Sequence, residues 1–356
     1  MSVRTLIRHL HFMWAAFILR VQAILDAAVK TAGPLYILLA LSLLSCIIYL
    51  YYTTVLPAVH DLHSVEGLAH LFLSAWLIYN VFFNYFWCIQ TDPGSPPMTV
   101  DVGDDLSKFE TASGIPQIRW CKRCRRSKPP MTHHCHICKR CILKMDHHCP
   151  WMHNCIGYNN YRYFLVFLLY LWAGCIYTVC MASIPLFGTS AHFLFPQEPT
   201  QANGVLFTFV LSLALFGSLS CLLGWHIYLV LTAQTTIDFY SNRQRRRDAR
   251  RSGQVWVNEF DMGKIQNLRN VFETNSSGIW WLRILLPFRA SPKGDGVRFP
   301  SRYGSSDAAF DANHLHHHDL PSSSLANGSA PDSRDAITLE RVLADSEDNW
   351  RSDNMV

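Results

Sequence analysis

Seven of the chain's twelve cysteines lie between positions 121 and 155: Cys121, Cys124, Cys135, Cys138, Cys141, Cys149 and Cys155. Six histidines, at 133, 134, 136, 147, 148 and 153, lie among them. Two thiols separated by two residues can grip one ion from a tight turn, and imidazole completes the tetrahedral N/S set that zinc takes. Cys121 and Cys124, Cys135 and Cys138, and Cys138 and Cys141 all have this spacing. Two closed sites of three cysteines and one histidine would use six thiols and leave one over. Spacing alone leaves open which ligand serves which ion.

The spare thiol is best assigned to Cys149, in the run Asp146-His147-His148-Cys149. A thiol attacks only as its thiolate, and a neighbouring imidazole in cationic surroundings lowers its pKa. A carboxylate can orient that imidazole and stabilise its charged form. Asp146, His147 and Cys149 supply a nucleophile, a base and an orienting group within four residues. A plainer reading stays open at this point: Asp146 shapes a turn, and every cysteine and histidine serves zinc.

Something must hold this loop in place, and the rest of the chain says what. Half of its 356 residues are apolar and only 16% are charged, against about a quarter charged in a soluble domain. The apolar residues fall in four blocks without Asp, Glu, Lys or Arg: 34–56, 68–89, 163–187 and 205–231. Each is long enough for a helix to cross the hydrocarbon core. The expected fold class is therefore an all-α integral membrane protein, with four transmembrane helices and a zinc-binding cysteine-rich domain between the second and third. Disordered, collagen-like and small disulfide-stapled classes are excluded. No cleavable signal peptide is evident. Residues 1–33, apolar but interrupted by Arg4, Arg8, Arg20 and Lys30, read as an amphipathic segment lying in the interface.

Lysine and arginine set the orientation. The loops 57–67 and 188–204 contain neither, 119–162 contains ten, and 242–251 contains six arginines. Both termini and the central loop, 90–162, are thus expected in the cytosol, where disulfides are disfavoured. The basic layer suits acidic lipid headgroups or a phosphate-bearing ligand; no nucleic acid is expected, since no nucleic-acid-binding fold is visible. Residues 232–287 form the expected cytosolic C-terminal segment. Residues 288–356, rich in Ser, Asp, Gly and Asn, read as a disordered tail in which His314 and His316 to His318 are a solvated tract. The glycosylation patterns at Asn275 and Asn327 are silent on the cytosolic side. Cys46, Cys88, Cys175, Cys180 and Cys221 fall in the spans and read as small apolar packing residues. His70 and His226, also in the spans, read as hydrogen-bonded packing.

The ordered string Cys-x2-Cys-x9-His-Cys-x2-Cys-x2-Cys-x4-Asp-His-His-Cys-x5-Cys, from Cys121 to Cys155, resembles the cysteine-rich domain of the DHHC family of protein S-acyltransferases, the palmitoyltransferases. Lys128-Pro129, Pro150-Trp151, Asn154 and Asn160 to Phe164 continue the resemblance, and so does the four-span arrangement. Asp92-Pro93-Gly94 is similar to the family's Asp-Pro-Gly motif, and Thr235-Thr236-Ile237-Asp238 to its Thr-Thr-x-Glu motif, with Asp in place of Glu. Asn258 to Phe272 resembles the C-terminal motif more loosely, having Glu259 and Phe260 where Pro and Tyr are usual. The resemblance covers roughly residues 34 to 275.

The resemblance implies a partition and a set of roles. One structural zinc would take Cys121, Cys124, His134 and Cys141; the other would take Cys135, Cys138, His148 and Cys155. Cys149 would carry the acyl group, His147 would be the base, and Asp146 would polarise His147. Thr235 and Thr236 would buttress the aspartate, and Asn258 would tie the C-terminal segment to the core. The activity implied is transfer of a long-chain fatty acyl group, mainly palmitoyl, from acyl-CoA to cysteines of membrane-associated proteins, through an autoacylated intermediate. The acyl chain would lie among the spans, near Gly174, which stands 11 residues past Tyr163 and so about 16 Å deeper along a helix. The expected location is an endomembrane, Golgi or endoplasmic reticulum, rather than the plasma membrane. A zinc-bearing scaffold, a transporter and a zinc-based ubiquitin ligase are the rival readings. The spare thiol counts against the first and third, and the absence of charge in the spans against the second.

Overall fold

The computed structural model describes residues 3–97, 119–188, 199–274 and 279–302. The poly-histidine tract, the Asn275 and Asn327 patterns and the tail beyond 302 lie outside them.

Helix α1 (Val3–Leu50) is continuous through Pro34. The break expected near residue 33, between an interfacial segment and the first span, is therefore absent from the backbone. No turn residue other than Gly33 and Pro34 interrupts the apolar sequence there, and a single proline removes one backbone bond without ending a long helix held by its neighbours. Gly33 lets His153 approach: a Cβ there would collide with the His153 ring and displace it. A single π-helical stretch, Tyr51–Val55, and the short α2 (Leu56–Val59) complete the first crossing. Helix α3 (Val65–Gln90) starts at Ser64, whose side chain accepts from Gly67 N, satisfying one of the free amides of the first turn. Helices α4 (Tyr161–Phe187) and α5 (Pro199–Leu231) follow the cysteine-rich segment. Four apolar helices long enough to span a membrane thus run over residues 20–59, 65–90, 161–187 and 200–231. Three of their hydroxyls fold back on the helix: Thr178 donates to Gly174 O, Thr208 to Gly204 O and Ser220 to Phe216 O, at 2.6–2.8 Å. In hydrocarbon, where water cannot serve them, this is how such groups are satisfied.

The cysteine-rich segment is built from three two-stranded antiparallel hairpins: β1 (Arg119–Cys121) with β2 (Arg126–Lys128), β3 (His133–Cys135) with β4 (Arg140–Ile142), and β5 (His147–Cys149) with β6 (Asn154–Ile156). Arg125, Lys139 and His153 take positive φ of 52°, 58° and 47° at equivalent points of the three turns. The third hairpin buries Cys149, Met152 and Ile156 in the same apolar cluster as Tyr85, Cys88 and Phe164 from the spans. This seats the hairpin on the ends of α3 and α4.

Polar side chains lock the seat. Asn154 Nδ2 donates to the carbonyls of Cys88, Ile89 and Thr91 at the open end of α3, and Asn160 Nδ2 adds a second bond to Cys88 O, serving carbonyls that the helix itself leaves free. The Asp92-Pro93-Gly94 turn is closed by Gly94 N donating to Asp92 Oδ1, and Gly94 O receives Leu143 N at 3.0 Å. Arg140 reaches Asp92 Oδ2 at 2.7 Å.

Helix α6 (Thr236–Arg251) follows α5, then α7 (Lys264–Phe272) and α8 (Leu282–Leu285). The described chain runs past the expected tail boundary at 288. Phe299 is buried and packs edge-on against Tyr158 and Phe260, and Arg162 Nη2 donates to the carbonyls of Phe288 and Ala290. Composition concealed this because a few aromatic and carbonyl anchors hold an otherwise polar stretch.

Candidate active site and metal centres

The first cluster gathers the thiols of Cys121, Cys124 and Cys141 around Nδ1 of His134, at 3.6, 3.2 and 3.9 Å. The second gathers Cys135, Cys138 and Cys155 around Nδ1 of His148, at 3.8, 3.4 and 3.6 Å. A tetrahedral ion with zinc's bond lengths to sulfur and nitrogen would separate its ligands by roughly 3.5 Å. Both donor sets therefore fit two metal ions of zinc's type, with the eight residues divided as the resemblance implied. Hairpin register accounts for the division: His134 faces Cys141 across β3–β4, and His148 faces Cys155 across β5–β6. Each knuckle supplies two thiols, and the following hairpin supplies the histidine and the third thiol.

That arrangement recurs at an interval of 14 residues: Cys121, Cys135, Cys149 for the first thiol, and Cys124, Cys138, Met152 for the second. In the third repeat methionine replaces the second thiol, and among the described residues no further hairpin follows to complete a site. Cys149 occupies a knuckle position without a knuckle's partners. The repeat is legible in the sequence, and it singles out Cys149 more directly than counting spare thiols does.

Cys149 is 6% exposed. His147 stands two residues before it on the same strand, near enough for its charge to be felt by the thiol. The His147 ring binds Asp146, with Nδ1 2.7 Å from Oδ2. Asp146 is fully buried and accepts from Thr236 twice: the backbone N–H reaches Oδ1 at 3.0 Å and the hydroxyl reaches Oδ2 at 2.9 Å. Burial opposes the charge on Asp146, but the bonds from His147 and Thr236 outweigh it and hold the carboxyl below its usual range. Burial likewise works against charge on His147; its bond to Asp146 and its contact with Cys149 prevail and raise its pKa to about 9. Phe164 meets the His147 ring edge-on at 5.3 Å. The arrangement can hold a thiolate against an imidazolium whose far nitrogen is fixed on a carboxylate.

The two threonines have different partners. Thr236 holds Asp146, whereas Thr235 caps α6: its hydroxyl accepts from Asp238 N at 3.1 Å, and Asp238 Oδ2 accepts from both the Thr235 hydroxyl and its amide. The carboxylate that stands in place of the family's Glu thus closes a capping box and faces His133 at 3.9 Å. Asn258 donates to the carbonyls of Thr232 and Ala233 at 2.9 and 3.0 Å, and Asn267 to Leu231 O at 3.0 Å. Both cap the end of α5 next to Thr235, so the C-terminal segment fixes the turn that presents Thr236.

Gly174 lies away from this cluster, on a cavity among the spans lined also by Leu44, Ile47, Val81, Tyr177 and Ser212. A Cβ at Gly174 would meet nothing within 4 Å. His226, which the sequence offered as packing, approaches the Asp146–His147 pair; nothing in its local sequence announces this, because the approach is made by α5 as a whole.

A family model described as DHHC palmitoyltransferase matches residues 115–243. Similar curated proteins include probable protein S-acyltransferase 15 of Arabidopsis thaliana, 33% identical over 70% of this chain and 97% of its own. Palmitoyltransferase ZDHHC16 of Mus musculus is 31% identical over 77% of this chain and 76% of its own. Putative ZDHHC-type palmitoyltransferase 4 of Dictyostelium discoideum is 31% identical over 78% of each. With identity of this degree extending well beyond the cysteine-rich segment into the helices on either side, the chain belongs to the DHHC palmitoyltransferase family.

Proposed function

We propose that the protein is a protein S-acyltransferase that moves a long-chain acyl group, mainly palmitoyl, from acyl-CoA to cysteines of membrane-associated proteins, with Cys149 as the acyl carrier. The observation that carries this reading is the His147–Asp146 pair, with Nδ1 2.7 Å from a fully buried carboxylate, two residues before the buried Cys149 on the same strand.

In the first half-reaction His147 holds the proton of Cys149. The Cys149 thiolate attacks the thioester carbonyl, the bond to the CoA sulfur breaks, and the departing thiolate takes the proton from His147. In the second, a substrate cysteine gives its proton to the now neutral His147 and attacks the acyl carbonyl, releasing the Cys149 thiolate. Asp146 stays ionised throughout and stabilises the imidazolium. Thr236 holds Asp146 in place. The two zinc ions would be structural: each cluster offers four ligands and no open position.

The apolar seat of the β5–β6 hairpin favours a membrane-bound donor. The reacting sulfur lies where a hydrocarbon chain can enter the bundle while the phosphates of CoA stay in the basic layer of the central loop and α6. Each buried methylene contributes about 0.8 kcal/mol, which favours long donors. In this reading both termini are cytosolic and the protein works on endomembranes.

Purified protein incubated with palmitoyl-CoA should gain one palmitoyl mass, released by hydroxylamine, and Cys149→Ser should gain none. A palmitoylated Cys149→Ser protein would refute the assignment.

A further inference from the structure

We infer that His226, held by Tyr161, is a positioning residue for the Asp146–His147 pair, an assignment that rests on the acyl-transfer reading above. His226 lies on α5, far along the chain from the hairpin, and is 2% exposed. Its Nδ1 is 3.1 Å from the Tyr161 hydroxyl, which is also buried, at the start of α4. A ring nitrogen of His226, a carboxylate oxygen of Asp146 and a ring nitrogen of His147 lie within 4.8 Å of one another. The His226 and His147 rings have centroids 5.9 Å apart, and Phe164 packs edge-on against both, at 5.0 and 5.3 Å.

Packing alone does not call for an imidazole here. Phe164 packs on the ring, and burying a polar ring costs free energy unless polar partners satisfy it; those within reach are the Tyr161 hydroxyl and the Asp146–His147 pair. In the tautomer whose Nδ1 accepts from the Tyr161 hydroxyl, the ring proton sits on Nε2, and the proposal gives that N–H to the Asp146–His147 pair. Thr236 supports the carboxylate from the start of α6, and His226 supports the pair from α5. As the proton leaves and returns to His147, charge on that ring appears and disappears. A fixed dipole beside the pair keeps the ring in register with Cys149 and costs no reorganisation at each transfer. His226 touches neither thiol nor acyl group in this account; it acts through Asp146 and His147.

The test uses full-length protein in detergent, with variants His226→Leu, His226→Gln and Tyr161→Phe. Zinc content and melting temperature are measured alongside the maximal rate and KM of acyl-enzyme formation with palmitoyl-CoA. The rate of Cys149 alkylation by iodoacetamide is measured in parallel. His226→Leu should lower the maximal rate about tenfold or more, the range seen when an orienting partner is removed. KM should stay within about twofold, and zinc and melting should be unchanged. His226→Gln, which keeps an N–H donor, should recover most of the loss, and Tyr161→Phe should show a smaller loss in the same direction. Wild-type rates in His226→Leu would overturn the proposal. So would equal losses in the Leu and Gln variants, or losses that follow zinc content or melting temperature, since these assign a packing role. Alkylation needs no acyl donor. If wild-type protein forms no acyl-enzyme, the acyl-transfer reading fails on that result alone, while alkylation still reports whether His226 governs the reactivity of Cys149.

Discussion

Thr236 grips Asp146 with two donors, its amide at 3.0 Å and its hydroxyl at 2.9 Å, across 90 positions of sequence. The carboxylate belongs to the loop between the second and third spans, and the donors belong to the helix after the fourth. The bond therefore ties the reactive hairpin to the end of α5, and its two halves cannot be set independently.

The neighbouring threonines should separate cleanly. Thr236→Val deletes a hydrogen bond to a charged group, an interaction of about 1.5–3 kcal/mol, and leaves Asp146 less firmly held. Acyl-enzyme formation should fall about tenfold or more, with zinc retained. Thr235→Ala deletes a helix cap, which costs about 1 kcal/mol of stability, and should leave the rate within about twofold. Rate and melting measurements on both variants check this; matching rate losses would mean that the capping box, rather than the grip on Asp146, governs activity.

The adjacent histidines face opposite ways because successive side chains on a strand do. His147 Nδ1 is on Asp146, and His148 Nδ1 is among Cys135, Cys138 and Cys155. His147→Ala should keep its metal and lose acylation, roughly a hundredfold or more for removal of a general base. His148→Ala should lose metal first. Metal analysis beside acyl-enzyme formation distinguishes them, and equal metal loss in both would reverse the roles.

The two metal clusters interleave along the strands: His134 of the first is followed by Cys135 of the second, and Cys141 of the first closes a hairpin whose turn holds Cys138. Intact protein should carry two zinc per chain. Cys135→Ser or Cys138→Ser should lose the second ion directly and weaken the first, because structural zinc binding is part of the folding free energy. Elemental analysis giving one zinc in wild-type protein would contradict the two-site arrangement.

Several of these relationships could be read in advance. The four spans announce themselves as uncharged blocks, and the ligand types and spacing fix a zinc module. The assignment of Thr236 to Asp146 could not be read from either motif, because both threonines sit in one short string and only the start of α6 decides which points back. Asp238 in place of Glu changes a capping interaction, which the motif alone does not disclose. His226 was hidden for a similar reason: an imidazole in a span has no periodicity or spacing that points to a loop residue. The order of residues 289–302 is not legible in composition, because Phe299 and the carbonyls of Phe288 and Ala290 make specific contacts within a polar stretch.

Gly174 tests the proposed acyl-chain path. It lines a cavity shared by α1, α3, α4 and α5, and no neighbour occupies the place its Cβ would take. The glycine is thus not required by close helix packing, the usual reason for small residues in a span. Beyond it the cavity is bounded by Tyr51 and Tyr177, whose hydroxyls are 2.8 Å apart, with His70 Nδ1 2.8 Å from the Tyr177 hydroxyl. Those groups are bonded to one another, so an alkyl terminus reaching them would displace no bond and gain none. On the proposed path the chain would end where the apolar lining gives way to that hydroxyl pair, with Gly174 adding no side chain to stop it. Stearoyl-CoA should therefore serve as a donor beside palmitoyl-CoA. Gly174→Tyr places an aromatic ring in the open space and should shift the preference toward shorter donors, with zinc content and melting temperature unchanged. Competition between acyl-CoA donors of different length on wild-type and variant protein measures the shift, and an unchanged chain-length profile in a folded Gly174→Tyr protein would place the acyl chain elsewhere.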